Sequence, residues 1–422
     1  MIIEITGVTN GVGPYDIYLC DSGLTGCFYV SGVTTIPPTI TIDSDNFFPG
    51  VDTLKIKIVD NTGCVDIINS ICSPTCYAIT ILDTIVVEDM PLSAVYVPTN
   101  GYLYVNNSDS SSVSVIDIIT NSVITTINVG LNNDGLIQYN PDNGDIYVPN
   151  RNSNTVSVID TVTNTVITTI STGHLGYGSL YVTGVNKLYI TDNLSVFLRV
   201  IDTTTNSVLG SVTLTAAASI SSRNSLTYDT INGYIYVAIS NFDVVDVVDP
   251  VTDTVVLSIP VGNSPRLILY SSINNYVYVV NYLDSTVSKI DTTTNTVVST
   301  IPVGNGAVSI VETPLYIYVT NSTDYTITVI DINTDATITI PTTDSIVNST
   351  YNPSNGYLYV NQDIEKSVLI IDTITNTVVS TIALSRSTTF GIYTPNNDNI
   401  YVNEVSKTFP FEDNMIELGC SY

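Results

Sequence analysis

The chain has 422 residues, of which 44% are hydrophobic and only 12% charged, with a formal net charge of −28 and a mean hydropathy of +0.31. That apolar share supports a large core and excludes wholesale disorder. With 11 Lys and Arg in all and no basic cluster, the composition argues against nucleic acid and anionic membranes as partners, because phosphate contacts need cations.

Few charges leave Ser, Thr, Asn and Tyr to form the polar surface, a mixture suited to β-structure. The acidity reads as a solubility device. No stretch reaches the roughly 18 apolar residues of a membrane span. Met1–Thr6 lacks a basic segment followed by an apolar run, so no secretory signal is expected there.

Residues 1–76 read as six short strands, Ile2–Ile5, Tyr15–Leu19, Cys27–Val30, Thr39–Ile42, Thr53–Val59 and Val65–Ile71, separated by Gly-, Pro- and Asn-rich turns. Thr53–Ile58 alternates polar and apolar, as a half-buried strand should. The expectation is a small β-sandwich, an Ig-like attachment domain. Five of the six cysteines, Cys20, Cys27, Cys64, Cys72 and Cys76, lie here, and Cys420 lies near the other end. No paired Cys-x-x-Cys is present, so zinc is not expected. Buried thiols or local disulfides are, and Cys76 and Cys420 would approach each other if the rest of the chain closed into a ring.

Residues 77–422 carry a repeat of four strands. Strand a is a short apolar stretch ending in Tyr or Pro, such as Leu136–Tyr139. An Asn-Gly pair often follows, at Asn100-Gly101, Asn143-Gly144, Asn232-Gly233 and Asn355-Gly356. It predicts a tight hairpin with positive φ at both residues. Strand b is Tyr-x-Tyr-Val, as in Tyr102–Val105 and Tyr357–Val360. Strand c is Val-x-Val-Ile-Asp, as in Val113–Asp117, Val156–Asp160 and Val368–Asp372. The turn Asp-x-x-Thr-Asn leads into strand d, Val-x-x-Thr-Ile, often closed by Val-Gly as at Val129-Gly130, Val261-Gly262 and Val303-Gly304.

The strand-c aspartates Asp117, Asp160, Asp202, Asp249, Asp291, Asp331 and Asp372 recur every 40 to 47 residues. Four strands at that spacing match a blade of a β-propeller. Val, Ile, Thr and Tyr at alternate positions exclude a helical repeat. Before the first full unit, Ile79–Val87 reads as a spare strand d. After the last, strands a and b recur, ending at Asn399–Val402. Joined, they would complete a composite blade and remove the open edges, with strand c drawn from Lys407–Leu418. Eight blades are favoured and seven are the alternative.

These residues resemble the YVTN family of β-propeller repeats. Its tetrad is literal at Tyr318-Val319-Thr320-Asn321 and drifts at Tyr104–Asn107, Tyr147–Asn150 and Tyr278–Asn281. The resemblance implies a surface or extracellular binding scaffold and carries no catalytic residue. The phrase Val59–Cys64 resembles the closing strand of Ig-like repeats in adhesins and phage appendage proteins.

Chemistry is sparse. The single histidine, His174, falls in a loop between blades, where a Ser–His–Asp apparatus lacks obvious partners. The recurring aspartates read as turn formers, with a calcium ring as the alternative. Asp43–Asp45 and Asp243–Asp246 are isolated pairs. The 28 tyrosines read mainly as core and blade-to-blade packing, some of them free to stack on sugars or proteins. Arg151, Arg199, Arg223, Arg266 and Arg386 read mostly as parts of local hydrogen-bond networks, each with an acidic partner as the alternative. No catalytic, cofactor-binding or metal residue is assigned, and no cofactor is expected.

The functional expectation is a non-enzymatic virion structural or appendage protein of a phage, in the manner of a fibre or decoration protein. Its N-terminal domain would dock on other virion proteins. Its propeller would bind a host-surface glycan or protein, with self-association left open. The alternatives are a prokaryotic cell-surface or S-layer adhesion protein, and a propeller hydrolase or lactonase.

Overall fold

The computed structural model describes residues 78–132, 135–173, 176–192, 197–215, 224–405 and 413–421, together with six strands within the first 77 residues. The chain forms two compact units, residues 1–78 with 420–422, and residues 79–419.

In the first unit the strands are Ile2–Glu4, Tyr15–Cys20, Cys27–Val33, Thr39–Thr41, Thr53–Asp60 and Val65–Ile71, each within three residues of the bounds read from sequence. Four of them form an antiparallel sheet in the order Cys27–Val33, Tyr15–Cys20, Thr53–Asp60, Val65–Ile71, and the other two pair with each other. Cys20 and Cys27 are register partners across their hairpin. The sandwich expectation depends on connections that lie outside the described residues. So do Cys64, Cys72 and Cys76, and with them the pairing of Cys76 with Cys420.

The second unit is an eight-bladed β-propeller with four antiparallel strands per blade. Blade 1 is Pro91–Val97, Tyr102–Asn107, Ser112–Asp117 and Ser122–Asn128. These are strands a to d, counted outward from the axis. Six further continuous blades follow. The eighth is composite: Gly391–Thr394, Asn399–Glu404 and Asp413–Ser421 supply a, b and c, and Ala78–Val87 supplies d. Each innermost strand approaches that of the next blade, and that of blade 8 returns to that of blade 1, so the ring is closed.

The core lies between blades. Val97, Tyr104, Val113 and Ile127 of blade 1 pack on Ile137, Ile146, Val148 and Ile159 of blade 2. At the closure, Ile85, Val87, Tyr401 and Met415 pack on Leu103, Val105 and Ile116. Each such side chain contributes about 1.5–3 kcal/mol of burial. Strand d is the outer wall and alternates between inward and exposed residues, as in Ser122–Asn128.

Glu417, on strand c of blade 8, is 4% exposed. It accepts hydrogen bonds from Asn121 of blade 1 and from Asn397, Asn399 and Tyr401 of its own blade. A buried carboxylate tolerates burial when donors surround it, and here those donors belong to the two blades that must meet. Asp413 adds a bond from the Met90 N–H at 2.8 Å.

Candidate functional site

The repeat's consensus residues are occupied in holding blades together. Eight strand-b tyrosines, Tyr104, Tyr147, Tyr189, Tyr236, Tyr278, Tyr318, Tyr359 and Tyr401, are the largest fully buried side chains. The Tyr236 hydroxyl donates to Asn295 Oδ1 in the next blade's c–d turn at 2.6 Å. Asn232 Nδ2 donates to that hydroxyl at 2.8 Å and to the Thr292 carbonyl at 3.1 Å. The same clasp joins Asn100, Tyr104 and Asn164, and Asn143, Tyr147 and Asn206. It joins Asn397 and Tyr401 to Asn121 across the ring closure. In blade 3 the form is ionic: Lys187 and Tyr189 both bond to Asp253. Burial pushes Tyr104, Tyr147, Tyr236 and Tyr359 up to about 12.

This changes the reading of the Asn-Gly pairs. Gly101, Gly144, Gly233 and Gly356 have φ of +72 to +81, whereas their asparagines are not in the left-handed region. The turns are longer than a two-residue hairpin: the Gly101 N–H bonds to the Val97 carbonyl. Asn is needed because its side chain both caps Tyr102 N–H and reaches Tyr104.

The recurring aspartates form turns. Asp117 Oδ1 accepts the N–H groups of Ile119 and Thr120, and Asp372 those of Ile374 and Thr375. Asn164, Asn206, Asn295 and Asn376 end these turns at φ of +52 to +56, a conformation Asn tolerates. Side-chain and backbone donors of Thr293 hold Asp291 below its ordinary value. Among the described residues no group of three His, Cys, Asp or Glu is arranged to hold a metal ion. The tetrad asparagines fasten the b–c hairpins: Asn281 Nδ2 bonds to Thr286 and Ser288, and Asn321 Nδ2 to Thr326 and Thr328.

The other residues singled out do not converge. His174, Arg223, Asp43 and Asp45 lie outside the described residues. Asp243 accepts the Ser264 N–H, while Asp246 is buried and holds Thr215 and Ser258. Arg151 donates its backbone N–H to the Asn132 carbonyl, Arg199 reaches the Gly210 carbonyl, and Arg386 pairs with Asp413. Arg266 stacks on Tyr282, its guanidinium carbon 3.6 Å from the ring centroid.

Strand a shapes the channel wall. The innermost strands carry a tyrosine at equivalent places in Tyr96, Tyr139, Tyr181, Tyr228, Tyr270, Tyr351 and Tyr393. Blade 6 has Glu312 there instead. Burial raises its carboxyl above the ordinary value, and Oε1 is buried without a partner. Aligning strand a across repeats would have exposed this exception. Because strands alternate in direction, the a–b and c–d turns gather on one face of the disc. There Ile119, Val162, Val251 and Ile374 occupy equivalent turn tips, 86%, 90%, 74% and 77% exposed.

No family model matches the sequence, and no curated protein does. Solved structures do. The dihydro-haem d1 dehydrogenase NirN, in complex with DHE, superposes with a TM-score of 0.67 at 13% identity, over 80% of this chain and 75% of that one. The computationally designed protein Ika8 gives 0.64 at 12%, over 79% and 98%. The Kuenenia stuttgartiensis hydrazine synthase gives 0.52 at 17%, over 75% and 92%. At these identities the likeness is one of fold.

Proposed function

We propose that this chain is a non-enzymatic binding scaffold of the YVTN type, carried on a phage virion. Residues 1–76 would attach it to other particle proteins, and the propeller would bind a host-surface glycan or protein. The observation that carries this reading is the division of labour among side chains. The repeated Tyr, Asn and Asp residues are consumed by blade-to-blade bonds and turns, as in the Tyr236 and Asp117 sets. What remains outward is a pair of faces carrying hydroxyl, amide and aliphatic groups beside carboxylates engaged in their own turns and loops, such as Asp117, Asp284 and Asp324. Such faces suit broad contact made by many small interactions around a few apolar knobs.

The experiment is mass spectrometry of purified particles from an infected culture. The chain is expected at a fixed copy number relative to the capsid protein. Its absence from washed particles, with the protein present in the lysate, would remove the virion assignment. Binding of the purified chain to host cells tests the scaffold reading separately.

A further inference from the structure

Of all residues in the eight innermost strands, only Arg266 and Glu312 carry a charged side chain. They lie in adjacent blades. By register Arg266 is equivalent to Val308 of blade 6, because Pro265 and Ala307 each pair with the tetrad asparagine, Asn281 or Asn321. Four residues of strand, roughly 13 Å of rise, therefore separate the levels of Arg266 and Glu312. Among the described residues of these strands the wall is otherwise neutral, with a cation near one mouth and a carboxyl near the other.

Arg266 also differs from the ion-paired cations, and from Arg199, whose Nε is likewise buried without a partner but which reaches the Gly210 carbonyl. Lys187 and Lys289 are each paired with an aspartate, Asp253 and Asp335, and Arg386 with Asp413. Arg266 makes its stacking contact with Tyr282 and has a buried Nε without a hydrogen-bond partner. The two acids of its loop cluster are already engaged. Asp284 accepts both donors of Asn263, and Asp243 accepts the Ser264 N–H. The loop itself is fixed, since Tyr282 N–H bonds to the Ser264 carbonyl and Ser240 to the Pro265 carbonyl. A guanidinium held flat on a ring, over a rigid base, is preorganised to present its planar fork to an oxyanion.

Resting on the scaffold reading above, we propose that Arg266 is the specificity residue of a saccharide site at this mouth of the channel. The ligand class is an acidic sugar whose single carboxylate meets the guanidinium. The net charge of −28 repels polyanions at long range, so a densely sulfated chain or a nucleic acid is disfavoured. A sparsely charged sugar is not, and its hydroxyls suit the surrounding hydroxyl and amide groups.

The test titrates the full-length protein with methyl glucuronide and its methyl ester, read by ligand-observed NMR, and with inorganic sulfate, read by calorimetry. Methyl glucuronide is expected to bind, and the ester to bind at least tenfold more weakly. R266Q should lose about tenfold or more for the acid and change little for the ester. R266K should fall between, because an ammonium keeps the charge and loses the fork. Y282F should retain binding, and Y282A should weaken it. An unchanged melting temperature for R266Q shows that the variant is folded. Equal binding of acid and ester, equal binding by R266Q and wild type, or no binding by the acid at millimolar concentration would overturn the proposal. So would Arg266-dependent binding of sulfate alone. If R266Q abolishes none of these interactions while host-cell binding persists, the scaffold reading stands and this site falls.

Discussion

Tyr236 does two things at once: its ring fills an inter-blade core, and its hydroxyl ties two blades together. Tyr236→Phe keeps the first and deletes the second, leaving the Asn232 amide and Asn295 Oδ1 short of a partner. The expected loss is about 1–2 kcal/mol, read as a lower midpoint in urea with unchanged slope. Glycines separate two further effects. A Cβ at Gly304 would stand 2.7 Å from Asn321 Nδ2 and 2.8 Å from Thr326 Oγ1, so Gly304→Ala must push the next blade's hairpin aside. At Gly356, φ is +72° with open space around it, so Gly356→Ala meets only the left-handed backbone cost of about 1 kcal/mol. Thermal melts should rank Gly304→Ala as the more destabilising; the reverse order would mean that the hairpin yields freely. The sequence shows where the tyrosines, asparagines and glycines recur. It does not show which partner each one meets, because the clasps join residues about 60 positions apart in neighbouring blades, and 280 apart at the ring closure.

At the scale of strands, legibility follows chemistry. Strands b, c and d were readable because alternation and the Asp-x-x-Thr-Asn turn are dictated by local physics. Asp117 captures its own turn N–H groups, and that needs no tertiary information. Strand a carries the weaker signal, since the position before its tyrosine admits Val95, Gln138, Thr227 or Leu269 alike. The strand c of blade 8 was placed in Lys407–Leu418 and lies at Asp413–Ser421. It lacks the Val-x-Val-Ile-Asp phrase, because strand d of this blade comes from Ala78–Val87 and no c–d turn follows strand c; Glu417 pairs with Tyr401 as Val115 pairs with Tyr104. Glu417→Ala removes the acceptor for four neutral donors and is expected to cost about 1–3 kcal/mol. Hydrogen exchange should then speed up in blade 8 and the adjoining face of blade 1 before it does so elsewhere. Uniform acceleration around the ring would contradict a local closure device.

The whole molecule is defined by the number of blades, and that count was decided by the leftover strands at the two ends of the array. Its inter-blade tyrosines set a limit in alkali. Tyr104, Tyr147, Tyr236 and Tyr359 sit at about 12 when folded, above the ordinary value near 10. The raised folded value means their contribution is complete below pH 10. It is lost as pH rises toward 12, because the unfolded chain releases protons that the folded one retains. Stability should therefore fall steeply between pH 10 and 12, with buried tyrosines ionising together as the ring unfolds. Tyrosinate absorbance that rises smoothly while circular dichroism stays native would refute this.

The composite blade has a mechanical meaning. Strand d of that blade, Ala78–Val87, is continuous in chain with everything before it. Load applied to the chain at residue 78 enters the propeller through this one strand and its bonds to the neighbouring strand c. The other seven blades are each a single covalent run and bear no such load until this joint parts. Pulling on the N-terminus by single-molecule force spectroscopy, with the disc immobilised, should yield a first small extension of about ten residues' length. Larger steps, blade by blade, should follow.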